Sequence, residues 1–596
     1  MPASRPHEYM SRRKRFRVWL ATLAGPAALL VWWAVAQPFT APAFERLPLP
    51  ARDNRPLVDA AITSLKLSQI DDYGTLRLGD TERPGRLVGA RTQIVRHVPV
   101  PRGGAVYEVH LGGIDHAVPV TVKVANAPPT STVVTANDWT RITVPLHDSA
   151  GTSQTIRISL LGRPEALAAW AQDSVRPAIV TAERRDVYII ALDTVRRDQL
   201  TPYAPSLTTT PALGQLSRAS IRFDQAISTS SWTVASHATL FTGRYPSDSL
   251  GYSSRVEPGE LTLADRFAAA GYRTFGVSGG PYTDPRWGLH QGFDEYVVSG
   301  DRENARQATT RATKWLEGAG DGPVFMFLNY FNAHEPLELS REVQQASGVE
   351  SGVSTAEWHA LDAGRLPLTE GARKRLLRAY RAELTEVDRQ VGNLIRTLKA
   401  LGRWERSLVV VWSDHGQLLG ERDTVGHAFT LDEELIHVPL LIKPPDGAAV
   451  RPGVYPWLFQ NDDLFVLCQA LAGLHTPDGA AMVSDLRTQR PVRKYAFAKI
   501  HHAPLPELVA ARRWRSETLW AVRSDTLKIV RDREGRLYSY ELDGPEERLV
   551  SKTPASTLLA ALDRFVQMSQ RPDSLRTVGA LSPEERERLR ALGYMH

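Results

Sequence analysis

Cysteine is nearly missing from this chain: among 596 residues, Cys468 is alone. One thiol excludes an intrachain disulfide framework and any cysteine metal cluster, and it leaves the compartment open. Internal repeats and low-complexity tracts are missing too. Strong charge of one sign is also lacking. The formal balance is +6, and most of that sits in Arg5, Arg12, Arg13, Lys14, Arg15 and Arg17, opposed locally by Glu8 alone. The remainder is close to neutral, so no nucleic-acid partner is expected. Long apolar runs are absent with one exception, VWLATLAGPAALLVWWAVA from Val18 to Ala36. About 20 apolar residues cross a bilayer as a helix, and flanking basic residues stay cytoplasmic. Residues 1–17 therefore read as a cytoplasmic basic arm and 18–36 as a transmembrane signal anchor. This is the pattern of a single-pass inner-membrane protein with its bulk in the periplasm. The alternative is secretion after cleavage at Ala34-Val35-Ala36, ahead of Gln37.

What is present is the composition of a globular protein, 42% hydrophobic and 23% charged, in a chain long enough for more than one domain. A proline-bearing linker spans 37–50. Over 51–180, AVYEVHL, VPVTVKVA, WTRITVPL and TIRISLL alternate apolar and polar residues between GG, APP and HDSAG turns. That pattern predicts an all-β sandwich domain, with no binding site legible in it.

At Asp186 the pattern changes. DVYIIALD, PVFMFLNYFNAH and SLVVVWSDHG are near-continuous apolar runs that end in polar groups. Such runs belong to strands buried on both faces of a parallel sheet. Between the last two, Leu377, Tyr380, Leu384, Val387, Val391, Leu394, Leu398 and Leu401 step by three and four, as on one face of a helix. Strands alternating with helices predict an α/β domain with a doubly wound sheet over 181–596. From about 480 onward, WAVR, LKIVRD and RLYSYEL predict a small antiparallel subdomain, closed by a capped helix over LSPEERERLRALGY.

Ligands of doubly wound sheets bind beyond the carboxyl ends of the strands. Asp193, His334, Asp414 and His415 all fall there. Two carboxylates and an imidazole form a mixed oxygen–nitrogen set suited to Zn²⁺ or Mn²⁺, with Mg²⁺ or Ca²⁺ also possible. Gly416 after Asp414-His415 permits a sharp backbone turn. SWTVASHATLFTGRYP, Ser231 to Pro246, reads as a short helix whose first hydroxyls are candidate caps or nucleophiles.

The order of these segments resembles the sulfatase-like family of the alkaline phosphatase superfamily over roughly Asp186 to Tyr594. IIALDTVRRDQL, SWTVASHATLFTGRYP, GYRTFGVSGG, GLHQGFDEY, FLNYFNAHEP, VVVWSDHGQLLGE, VGHAFTLDEELIHVPLLI and ALGY follow one another as that family's segments do. The resemblance implies an alkaline phosphatase-like fold and a single divalent metal held by Asp193, Asp414, His415 and Thr233. It places Thr233 as the nucleophile, with His334 and His427 holding non-bridging oxygens or protonating the leaving group. Ser236, His237 and Asn332 become candidate substrate contacts, and His437 stays structural. The implied substrate is a phosphate or sulfate ester of a lipid or glycan.

Two departures narrow this. Formylglycine sulfatases carry Cys or Ser first in C/S-x-P/A-x-R, whereas Thr233-Val234-Ala235-Ser236-His237 begins with Thr and ends with His. Gly271-Tyr272-Arg273-Thr274 also runs into VSGGPY without the Gly-Lys-x-His that grips sulfate in those enzymes. A Thr nucleophile is more similar to phosphoethanolamine transferases and lipoteichoic acid synthases, although those have Glu at the first ligand and several membrane spans. Thr194 replaces the second Asp of many sulfatases, in keeping with one metal. The resulting expectation is hydrolysis or transfer of phosphate esters through a phospho-Thr233 intermediate. The alternatives are a sulfatase without formylglycine, or a non-catalytic envelope binding protein with a degenerate form of the fold.

Overall fold

The computed structural model describes residues 74–569 apart from short segments, the longest being 178–184, 247–255 and 502–517. The basic arm, the apolar run 18–36, the linker and the closing LSPEERERLRALGY lie outside the described residues. Among the described residues, no helix is long and apolar enough to cross a membrane.

Alternation of side chains across a strand gives one apolar face. Val118–Val124 follows it strictly, buried and non-buried by turns. Four such strands, Gln93–Pro99, Ser153–Leu160, Val118–Val124 and Thr130–Val134, form one antiparallel sheet. A second sheet of six antiparallel strands centres on Ala105–Gly113. Tyr107, Val109, Leu111, Val120, Ile156, Ile158 and Trp170 share one core between them. Strand Thr81–Gly89 of the second sheet packs on Glu295–Val298, the edge of the larger sheet that follows.

That larger sheet has nine strands. Glu295–Val298, Arg273–Ser278, Val324–Tyr330, Val187–Leu192 and Leu408–Trp412 lie side by side, all parallel. Their unbroken apolar runs are explained by cover on both sides. Tyr188, Ile190 and Leu192 meet the helix Glu370–Ala400 through Tyr380, Leu384, Val387 and Val391. Val187, Ile189 and Ala191 face Phe241, Phe267 and Leu467. Each fully buried side chain of this size contributes about 1.5–3 kcal/mol relative to exposure. Beyond Leu408–Trp412 the sheet departs from an all-parallel arrangement. Leu440–Lys443 pairs antiparallel with both Leu408–Trp412 and Ile221–Ile227.

The long helix starts where Thr369 accepts a hydrogen bond from the Ala372 N–H, an N-cap ahead of the first periodic leucine. It ends at Ala400, so Leu401 is its C-cap and is 39% exposed rather than part of the apolar stripe. Ala496–His501, Thr518–Arg523, Leu527–Asp532, Leu537–Glu541 and Arg548–Val550 make a separate five-stranded antiparallel sheet. Helix Ser556–Ser569 covers it through Leu558, Leu562 and Phe565.

Candidate active site

Because Val187–Leu192 and Leu408–Trp412 are adjacent and parallel, their carboxyl ends deliver Asp193 and Asp414 to one place. Asp193, Asp414 and His415 are all buried, and each offers a ligand atom within 4.8 Å of the others. Asp193 Oδ2 accepts from Asn329 Nδ2 at 3.1 Å, while Asp193 Oδ1 has no partner. Asp414 Oδ1 accepts from the Thr194 and His415 N–H groups at 3.2 and 2.9 Å, while Oδ2 is unpaired by any hydrogen bond. Burial, then the charge of Asp414, pushes the Asp193 carboxyl up to about 8. Burial likewise pushes Asp414 up to about 7. His415 Nδ1 lies 3.0 Å from the Gly416 carbonyl and donates to it, so Nε2 carries the free lone pair. Burial and the neighbouring His427 hold this imidazole neutral, with its pKa well below the usual range.

Two buried carboxylates with orphaned oxygens and a neutral imidazole Nε2 are a costly set in the absence of a cation. The donor chemistry fits one divalent ion, which Asp193, Asp414, His415 and Thr233 would hold. The backbone is shaped around this cluster. Thr194, a β-branched residue, has φ +59°, a left-handed conformation costing roughly 1–3 kcal/mol. The Tyr380 hydroxyl fixes it by donating to the Thr194 carbonyl while accepting from the Arg196 N–H, each at 2.8 Å. Gly416 serves close approach, not a positive φ. A Cβ there would sit 1.9 Å from the Glu434 carbonyl oxygen.

Thr233 is the first residue of the helix Thr233–Thr242, and its Oγ1 lies 3.1 Å from His415 Nε2. The N-cap is Trp232, which makes no side-chain cap, and Ser231 Oγ is buried without a partner. Ser231 is therefore not the capping hydroxyl that its position suggests. The helix N-terminus instead has its free N–H groups and dipole beside Thr233. Ser236 is turned inward. Its hydroxyl donates to the Asp414 carbonyl at 2.7 Å and accepts from Asn461 Nδ2 at 2.8 Å. His237 is fully buried, with its ring edge-on to Phe327 and Trp412 and Nδ1 2.9 Å from the Thr233 carbonyl. Burial pulls its pKa down to about 4, so a neutral ring stands at the position where the formylglycine sulfatase motif has arginine. Through these bonds both residues brace the cluster.

His334 and His427 adjoin the cluster. The His427 ring stacks on His415 at 4.5 Å between centroids and meets His334 at 4.9 Å. His427 Nδ1 lies 3.0 Å from Gln417 Oε1 and 3.3 Å from Glu335 Oε2. Burial alone would lower the His427 pKa, but the Glu335 carboxylate raises it. His334 Nε2 is buried without a partner. Asn332 is hydrogen-bonded outside the cluster. It donates to Glu383 Oε2 at 2.8 Å and accepts from the Ala305 N–H at 2.7 Å. His437 is bonded through Nε2 to the Asp224 carbonyl at 2.7 Å and is not among the residues grouped at the cluster.

Three participants escaped sequence reasoning: Asn329, Glu335 and Gln417. Each lies inside a quoted segment. An Asn within an otherwise apolar buried strand was a signal that could have been read, since a buried amide needs partners.

Residues 185–466 match the family model described as Sulfatase. The ulvan-active sulfatase of Formosa agariphila is 25% identical over 306 residues, covering 45% of this chain and 58% of that protein. This chain therefore spans less than two thirds of that relative's length. The choline-sulfatase of Rhizobium meliloti is 26% identical over 435 residues, covering 59% of this chain and 83% of that protein. The crystal structure of the phosphonate monoester hydrolase of Agrobacterium radiobacter has the same fold, with a TM-score of 0.51 at 18% identity, over 65% of this chain and 95% of that one. The strand-end cluster and the sheet that builds it lie within residues 185–466, the part of the chain that is similar to the sulfatase family.

Proposed function

We propose that this chain is a metal-dependent hydrolase of phosphate or sulfate esters that uses Thr233 as its nucleophile. The observation that carries the reading is the convergence of Thr233 Oγ1 on His415 Nε2 at 3.1 Å, beside two buried carboxylates with orphaned oxygens. A divalent ion held there supplies positive charge, which acidifies an oxygen acid and neutralises the ester's anionic oxygens. Thr233 Oγ1 attacks phosphorus or sulfur, and the bond to the leaving oxygen breaks. The helix N-terminus at Thr233 favours the negative charge of both the alkoxide and the group it attacks. His427 and His334 are suited to protonate the leaving oxygen, and Glu335 raises the His427 pKa against the effect of burial. Water then opens the Thr233 ester; an alcohol in its place would make the reaction a transfer. Phosphate chemistry is the first reading, because threonine cannot be converted to formylglycine. Sulfate chemistry is the second, favoured by the family match and by relatives named as sulfatases. The basic arm and the apolar run 18–36 support an anchored, extracytoplasmic enzyme.

The test is a metal analysis of the purified chain together with nitrophenyl phosphate mono- and diesters, a phosphonate ester and a sulfate ester. Bound metal and turnover of a phosphorus ester are expected. Absence of both metal and turnover would sink the enzyme reading, and turnover of sulfate alone would reverse the order of the two. Mass spectrometry during slow turnover should find a modified Thr233 peptide. An active Thr233→Ala variant would remove Thr233 from its role.

A further inference from the structure

A cavity of about 150 Å³ opens beside His334, and none of the proposed metal ligands lines it. Its lining is lopsided in charge. Glu335, Glu338, Glu342, Glu383 and Glu386 face it against Arg306, which is itself exposed to solvent. Most of these carboxylates are already engaged. Glu335 sits between His334 and His427. Glu386 is held by both Nε and Nη2 of Arg389 at 2.8 Å. Glu338 accepts from the N–H and hydroxyl of Thr355.

Glu383 differs. It is only 5% exposed, its one hydrogen bond comes from the Asn332 amide at 2.8 Å, and among the described residues no cation pairs with it. Burial pushes its carboxyl up to about 7 against that hydrogen bond, and the charge of Glu386 adds to the rise. A buried acid without a counter-charge, lining a cavity, is a site missing its cation. Phe331 supplies an aromatic wall, stacked on the His334 ring at 4.3 Å. Ammonium groups are attracted to aromatic faces as well as to carboxylates.

We propose that this cavity is a leaving-group pocket for a small alkylammonium, with Glu383 as the residue that selects it. The inference rests on the ester chemistry proposed above and adds its substrate class: the phosphate or sulfate ester of an amino alcohol. His334 joins the two regions, since its ring both meets His427 and lines the cavity. An ester with its acid group at Thr233 and its leaving oxygen at His334 would place the alcohol's cationic end against Glu383. The volume suits a short chain with one charged head.

The test reads binding and is independent of turnover. The full chain loaded with Mn²⁺ is titrated calorimetrically with choline, with ethanolamine and with 3,3-dimethylbutan-1-ol, the uncharged isostere of choline. At least one amino alcohol should bind about tenfold or more tightly than the isostere, or roughly 1.4 kcal/mol. Preference for choline would assign the pocket to the trimethylammonium form and the Phe331 wall. Preference for ethanolamine would assign it to the primary ammonium and direct carboxylate hydrogen bonds. Glu383→Gln should erase the preference, while Glu357→Gln, half-buried on the helix Thr355–Asp362, paired with Arg375 and outside the cavity lining, should leave it intact. Equal binding of charged and uncharged alcohols overturns the proposal, as does a folded Glu383→Gln that keeps the preference. Should Glu383→Gln not fold, the wild-type comparison decides alone. A cation preference without any ester turnover would refute the catalytic reading and leave the pocket standing; turnover without preference would do the reverse.

Discussion

Two buried aspartates stand at opposite ends of one strand, and they are treated in opposite ways. Asp186 precedes Val187–Leu192 and is fully buried, with Arg403 and Arg406 each 2.9 Å from Oδ2 and the Val324 N–H on Oδ1. Asp193 follows the same strand, is equally buried, and among the described residues has one amide hydrogen bond and no cation paired with it. At the first end the chain supplies its own counter-charges and ties Asp186 to the segments around Gly320 and Arg403. At the second it withholds them, and sets another carboxylate, Asp414, alongside. A buried ion pair internal to the fold is structure; a buried acid left uncompensated is a place reserved for something else.

The contrast can be broken by substitution. Asp193→Asn should abolish metal binding and lower turnover by about a thousandfold or more, the scale for removing part of a catalytic unit. Its metal-free melting temperature should not fall, because a like-charge repulsion has been relieved. A marked drop in that temperature would show Asp193 to be structural after all. Asp186→Asn should do the opposite. It strands the buried Arg403 and should cost about 3–5 kcal/mol by denaturant unfolding, with activity per folded molecule retained.

The pH dependence sharpens the comparison further. Asp193 and Asp414 hold protons up to about 8 and 7 in the metal-free fold, but only up to about 3.9 when unfolded. Their contribution to metal-free stability is therefore complete below pH 4 and is lost as pH rises through 7 and 8. The chelated protein should melt at falling temperature across that window, by roughly 2–4 °C per kcal/mol lost. Metal-loaded protein should lack the slope, and Asp193→Asn should reduce it in the chelated state to the part that Asp414 contributes. Smallest is the expected effect of Asn329→Ala. Removing the amide that orients Asp193 should weaken metal affinity by about 10–100-fold, read by competition with a chelator. An unchanged affinity would free Asn329 from that role.

The strands and the long helix were legible because burial on two faces and the helical stripe each leave a period in sequence. Val187–Leu192 and Leu408–Trp412 are apolar throughout for the reason their sequences suggested. Asp193, Asp414 and His415 were legible because each follows such a run. The hydroxyls of SWTVASH were harder. Whether Ser231, Thr233 or Ser236 faces the cluster depends on where the helix begins, and Trp232 at the N-cap follows no capping preference. Tertiary contacts decide that boundary: Trp232 packs against Tyr282 and Trp287. Gln417 and Asn332 were opaque for a related reason, since an amide's partner is fixed by loops that meet only in three dimensions. The antiparallel turn of the sheet at Leu440–Lys443 was hidden as well, because a buried strand reads the same in either direction.

The helix Glu370–Ala400 has a consequence for how such an enzyme diversifies. Tyr380 clamps the Thr194 carbonyl beside the metal ligands, and Glu383, less than one turn further on, lines the cavity. The two duties thus ride on one stiff rod but on separate side chains. Lineages could exchange the residue at 383 to suit a new alcohol while the clamp at 380 stays untouched. A descendant could then inherit the chemistry intact and change only its diet.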